Sequence, residues 1–202
     1  MFKYPFAWSA VGVDVRGRST SLRIVYRTSA EIRRFAARIL PEEVEDEGAR
    51  RAGAVFGGAA PEVLAAADAG EERALIAAWV ADRLSEGVQP GDVAVLARTA
   101  DRAAAAGAGL SVQPVWGTAP DRVAVGSLAD AKGLEFHAVA IAGCEDGQVP
   151  LTAALRADPD PEAFRNALNR ERNLLYVGCS RARDFLLLTH VGPLTRFLRD
   201  TA

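Results

Sequence analysis

Four short apolar runs, Val93–Ala97 (VAVLA), Val123–Ser127 (VAVGS), Ala138–Ala142 (AVAIA) and Phe185–Thr189 (FLLLT), constrain this chain most. Each is about the length of one strand, and the first and third carry no polar residue at all. A strand with one face in water alternates apolar and polar residues, so an unbroken apolar run reads as a strand buried on both faces. Helical patterns separate the runs. Glu71–Leu84 places Ile76, Trp79, Val80 and Leu84 on one face, residues 99–108 are alanine-rich, and residues 161–182 read as mostly helical. Strands alternating with helices predict an α/β fold with a mainly parallel sheet and helices on both faces. Leu22–Tyr26 adds a strand. Thr28–Glu31 (TSAE) has the form of a capping box, with Thr28 as N-cap of a helix over 29–40 that stops before Pro41. Weak strands are expected near Ala54–Phe56 and Val63–Ala66, and a short one at Val112–Trp116. Residues 1–20 read as an irregular lead-in and residues 41–53, with the acidic run Glu42–Glu47, as a connector.

At 202 residues the chain is expected to form one domain that buries roughly 70% of its unfolded surface, so it requires no disulfide or metal staple. Cys144 and Cys179 lie far apart and form no metal or redox motif, and no apolar run approaches the roughly 18 residues of a membrane span. A reducing cytoplasm and no membrane partner are the expectations. Lys plus Arg is 24, Asp plus Glu is 26, and the net charge is −2. A domain that holds nucleic acid unaided usually carries a basic excess, because neutralised phosphates supply most of its affinity. DNA binding by this chain alone is therefore expected to be weak.

Few residues form a chemical cluster. His137 and His190 stand alone, so no metal site is expected. Glu145 and Asp146 read as turn residues before Gly147 rather than an acid–base pair. There is no G-x-x-x-x-G-K-[ST] anywhere, so the sheet lacks a phosphate-cradling loop of its own. In parallel sheets ligands bind beyond the carboxyl ends of the strands, which directs attention to the loops after Tyr26, Ser127 and Ala142. Trp8, Trp79 and Trp116 are candidate platforms for stacked bases, although Trp79 lies on an apolar helix face and reads as core.

Three stretches stand out in order: YRTSAEI (26–32), VAVGSLADAKGLEFHAVAIAGCEDGQVP (123–150) and ERNLLYVGCSRARDFLLLTH (171–190). Singly each is weak. Arg27 alone is a strand-end arginine, Glu135 a surface carboxylate, and Arg181 a charge favoured at a helix C-terminus. Together they resemble the second, C-terminal RecA-like motor domain of the UvrD/Rep-like superfamily 1 DNA helicases, over nearly the whole chain. The resemblance implies a RecA-like domain of the P-loop NTPase type that lacks its own P-loop. In that family two such domains clamp ATP with magnesium, the first carrying the Walker motifs and the second supplying arginines, while single-stranded DNA crosses their top.

Carried over, the resemblance makes Arg27 the fourth-motif arginine that reaches the γ-phosphate and Arg181 the sixth-motif arginine finger. Gly133 and Glu135, with Lys132 in the same loop, match the fifth-motif nucleotide side. Ser127 takes the place of the threonine near the DNA backbone, and Tyr176 packs its helix. An arginine that neutralises charge on a transferring phosphoryl group is worth about 10³ to 10⁵ in rate in related NTPases. Two departures accompany the match. Ala129 stands where the family has a histidine facing DNA, and Asp130 adds a negative charge beside it. The sequence opens just past the family's third motif, and the 105 positions from Arg27 to Lys132 leave no room for a large inserted accessory domain. The expected partner is thus a first motor domain, in cis or in trans. The rival expectation is a non-enzymatic interaction module that keeps the fold and docks on a DNA-repair partner.

Overall fold

A computed structural model of the chain describes residues 24–25, 28–40, 53–54, 57–155 and 160–199. Strands β1 (Ile24–Val25) and β2 (Gly53–Ala54) form a small parallel pair. The remaining strands are β3 (Glu62–Ala65), β4 (Val93–Ala97), β5 (Val112–Pro114), β6 (Val123–Ser127), β7 (Phe136–Ala142) and β8 (Ala182–His190). They make one six-stranded sheet in the order β3-β8-β7-β4-β6-β5. Every pairing in it is parallel, so all amino ends lie along one edge and all carboxyl ends along the other.

Side-chain alternation divides the apolar runs between two cores. Ala94, Leu96, Ala124, Val139, Ile141, Leu186 and Leu188 point to one face. There they meet Ile32 and Ala36 of α1 (Ala30–Ala37), together with Leu175 and Cys179 of the long helix that precedes β8. Val93, Val95, Ala97, Ala138, Ala140 and Leu187 point to the other. Ile76, Trp79 and Val80 of α2 (Ala69–Ser85) and Ala103 and Ala106 of α3 (Ala100–Ala106) cover them. A short α4 (Thr152–Leu155) precedes the long helix, α5 (Pro161–Cys179), and α6 (Arg196–Arg199) follows β8. No helix among the described residues is long and apolar enough to cross a membrane.

The expected elements are present, with shifted ends. Ser29 rather than Thr28 caps α1, accepting the Ile32 N–H at 3.4 Å. The Ser29 N–H is itself held by the Arg183 carbonyl at 2.9 Å, which fixes this residue in the cap position. Glu31 closes no capping box. Its carboxylate accepts the Gly58 N–H at 2.7 Å and pairs with Arg34 at 2.8 Å, and the Gly58 bond holds its pKa below the usual value. α2 starts two residues earlier than expected because Asp68 caps it, accepting from Gly70 and Glu71 at 2.7 and 2.9 Å.

The largest shift is at the end of α5. The helical reading of 161–182 overran: Ser180 is the C-cap, and β8 already begins at Ala182. Pairing of Ala182 with Phe136 draws this segment into the sheet, overriding its helix propensity. The lead-in over 1–20, and the 41–53 connector apart from Gly53, lie outside the described residues.

Candidate nucleotide and DNA interfaces

The sheet's two edges carry different groups. At the amino edge Arg181 sits in the tight turn between α5 and β8. Its guanidinium donates to the Val177 carbonyl (3.1 Å), the Leu134 carbonyl (3.0 Å) and the Ser180 hydroxyl (3.0 Å). Its own carbonyl accepts the Phe136 N–H at 3.0 Å. Arg181 thereby ties the last turn of α5 to the foot of the loop 128–135. Gly133 in that loop has φ +89°, with nothing within 4 Å of where a Cβ would stand, so conformation and not space requires glycine there. Lys132, Gly133 and Glu135 are exposed along this descent. Arg27 lies outside the described residues. Two residues on, the Ser29 N–H is bonded to Arg183 at this same amino edge.

Nearby, the Asp184 carboxylate accepts from Arg183 Nε (2.8 Å) and lies 3.1 Å from His137 Nε2, whose ring stacks on Phe185. His137 is thus a paired strand-end residue. Among the described residues no group of three or more His, Cys, Asp or Glu could hold a metal ion.

The carboxyl edge holds Ser127. Its hydroxyl donates to Asp130 Oδ2 at 2.6 Å, its N–H points to the same oxygen at 3.4 Å, and the Asp130 N–H returns to Ser127 Oγ at 3.1 Å. Ser127 therefore does not sit with Gly133, Glu135 and Arg181. The fifth-motif segment begins at one edge and ends at the other. Ser127 lies at the strand carboxyl ends, where the sequence directs attention, whereas a helix C-terminus delivers Arg181 to the amino ends.

Two buried carboxylates escaped the sequence reading. Glu171 on α5, 2% exposed, accepts both Arg98 Nε and Nη2 at 2.7 Å and the Leu151 N–H at 3.0 Å. These bonds hold the Arg98 pKa above its ordinary value. Glu72 on α2 is fully buried. It accepts the Gly143 N–H (2.9 Å) and the Thr189 hydroxyl (2.8 Å) and pairs with Arg102. A signal was available for both. Glu72 lies four residues before Ile76 on the apolar face of α2, and Glu171 lies midway between Ala167 and Leu175 on that of α5. Glu145 and Asp146 anchor the C-terminal segment, Glu145 accepting the Val191 N–H and Asp146 pairing with Arg196 and Arg199.

Comparison with known proteins shows what the chain is similar to. Residues 113–192 match the family model of the UvrD-like helicase C-terminal domain. The ATP-dependent DNA helicase UvrD2 of Mycobacterium tuberculosis is 45% identical over 67 residues, 33% of this chain and 9% of that protein. UvrD1 of Mycobacterium leprae is 39% identical over 85 residues, 37% of this chain and 10% of that protein. DNA helicase II of Rickettsia typhi is 41% identical over 68 residues, 34% and 10%. The chain spans about a tenth of the length of these relatives. Its fold matches the crystal structure of the C-terminal domain of a possible DNA helicase from Lactobacillus plantarum WCFS1, with TM-score 0.62 and 23% identity, over 88% of this chain and 94% of that one. The chain has the fold of a helicase C-terminal domain, and the stretch that holds Ser127, Gly133, Glu135 and Arg181 is similar to the UvrD-like helicase C-terminal domain family.

Proposed function

We propose that the chain works as the second motor domain of an ATP-dependent DNA helicase or translocase, completing an ATP site held mainly by a first motor domain in cis or in trans. The supporting observation is the bond from the Arg181 guanidinium to the Leu134 carbonyl, which joins the sixth-motif turn to the fifth-motif loop at one edge. A guanidinium already oriented by the Val177 and Leu134 carbonyls and the Ser180 hydroxyl needs little reorganisation when charge develops on a phosphoryl group. ATP with magnesium would supply the transferable phosphoryl group, and the sequence of this chain offers neither a P-loop nor, among the described residues, a metal-binding cluster. Arg181 and Arg27 would neutralise the phosphate charge. Gly133 lets the loop turn, with Lys132 and Glu135 on its nucleotide side. Single-stranded DNA would pass the opposite, carboxyl edge near Ser127.

The test is reconstitution. The 202-residue chain alone is expected to hydrolyse no ATP above background, with or without single-stranded DNA. Joined to a first motor domain carrying a Walker lysine, it should show DNA-stimulated turnover. Arg181→Ala and Arg27→Ala should each lower kcat by about 10³ or more. Turnover by the chain alone, or a reconstituted Arg181→Ala motor as fast as its parent, would remove this role and leave the docking module as the better account.

A further inference from the structure

The net charge of −2 hides a division across the sheet. Counted with their caps, α2 and α3 on one face carry six acidic residues against three arginines. α1 and α5 on the other carry six arginines against four acidic residues. One of those four, Glu171, is buried and neutralised by Arg98 from the end of β4. The α1/α5 face is therefore the positive one. Among the described residues no carboxylate lies within ion-pair distance of Arg165, Arg170 or Arg172 on α5, whereas Arg34, Arg183 and Arg199 are each paired.

The residues between these arginines are the second observation. α5 turns Ala167, Glu171, Leu175 and Cys179, spaced four apart, to the core. On the opposite side Asn166, Asn169 and Asn173, at i, i+3 and i+7, form a stripe. At about 100° per residue, Arg165 and Arg172 flank the stripe on one side and Arg170 on the other. Arg165, Asn169 and Arg170 are exposed and the other three partly so. The Arg172 guanidinium lies over the Phe197 ring, 5.1 Å from its centroid, and its Nε finds no hydrogen-bond acceptor among the described residues. Asparagine is a poor helix former, because its amide competes with the backbone for partners, so the stripe works against the helix that carries it. Guanidinium and amide N–H groups are the usual donors to the oxygens of a DNA backbone, the first with charge and the second without. Single strands are held largely by aromatic stacking. Phe164, 40% exposed, lies in line with Leu168 and Glu171, away from the stripe. Glu162 in the first turn is the one exposed carboxylate on α5.

We propose that the outer face of α5 is a sequence-independent docking surface for duplex DNA, with Arg165, Arg170 and Arg172 on phosphates and Asn166, Asn169 and Asn173 on the backbone oxygens between them. The inference goes beyond the motor-domain reading, which uses Arg181 and the loop 128–135. The acidic α2/α3 face repels the same duplex, so the division of charge orients the domain on it.

Fluorescence anisotropy with the full chain and a labelled duplex of about 20 base pairs, from about 50 mM salt upward, tests it. Three phosphate contacts predict a slope of log K against log salt of about −2.7. Each of Arg165→Gln, Arg170→Gln and Arg172→Gln should lower the steepness by about 0.9, and the triple change should weaken binding by about tenfold or more at the lowest salt. Arg73→Gln, exposed on the acidic face, should bind like the parent. Changing all three asparagines to alanine should weaken binding by about fivefold with the slope unchanged, because the lost contacts are uncharged. The urea midpoint of that variant should rise, since alanine favours the helix, so its weaker binding cannot come from misfolding. The proposal is overturned by a duplex that does not bind at the lowest salt, by a slope that the triple arginine change leaves unaltered, or by an equal loss in Arg73→Gln. A single strand held more tightly than the duplex, or a hexaglutamate peptide held more tightly than either, overturns it as well, and gives the face to unpaired DNA or to an acidic protein. The motor-domain reading fails separately, in the reconstituted ATPase, where Arg181 is decisive.

Discussion

At the scale of single residues, burial decides which groups are available for chemistry. Cys144 and Cys179 are both fully buried free thiols, and desolvation pushes both thiol pKa values up, well beyond the ordinary range for Cys144. The thiolate is the reactive form, so neither can act as a nucleophile while the core is closed. Both should be inert to Ellman's reagent in the native chain and both should react once guanidinium unfolds it. A native thiol reacting at the rate of an unfolded one would show that the core beneath α5 opens. Arg181 and Trp116 differ from the cysteines in being at least partly accessible. The sequence pattern singles out Arg181 as a candidate, and its role stays a proposal. Trp116 was only one of three candidate tryptophans. Its exposure depends on a glutamine side chain bonded to Ala119 and Arg122, a contact no periodicity encodes.

At the scale of elements, the apolar runs were legible because a parallel strand must be apolar on both faces. β4 and β6 were read to the residue. Ends were less legible, because they are set by partners distant in sequence. β8 starts early because Phe136 pairs with Ala182, and Ser29 becomes a cap while Arg183 holds its N–H. The ties between elements follow the same rule. Arg98 and Glu171 are 73 positions apart, and they meet because the strand order brings the end of β4 under α5. Glu72 is the hub of the other face, joining α2 to α3 through Arg102, to the turn after β7 through Gly143, and to β8 through Thr189. Removing one member of a buried pair strands the other. Glu72→Ala should therefore cost about 3–5 kcal/mol in urea unfolding, well above the loss for an ordinary surface carboxylate. A cost below about 1 kcal/mol would mean that Arg102, Gly143 and Thr189 find water or new partners without strain.

At the scale of the whole molecule, the parallel sheet keeps two groups of residues apart. Among the described residues, the groups proposed for nucleotide lie at the amino edge and Ser127, proposed for DNA, at the carboxyl edge, and the segment 128–135 runs between them. α5 locks that segment at one place. A Cβ on Gly178 would overlap the Leu128 side chain and come within 3.2 Å of Ile141 Cδ1. The Gly178 carbonyl accepts the Arg181 N–H at 3.1 Å. Gly178 thus stands between the residue that follows Ser127 and the arginine of the opposite edge. Gly178→Ala sets two effects against each other. Alanine favours the helix by about 1 kcal/mol over glycine. Forcing a methyl against the ends of Leu128 and Ile141, both fully buried, costs about 1–3 kcal/mol, because both must shift within a packed core. The overlap should win, so the urea midpoint should fall even though the helix propensity rises. Adding Leu128→Ala should then cost less than it does in the parent chain, since the new methyl fills part of the space, and a double-mutant cycle reads that coupling directly. A midpoint that rises in Gly178→Ala would mean that α5 slides freely over the loop, and Arg181 would then have no fixed position relative to Ser127.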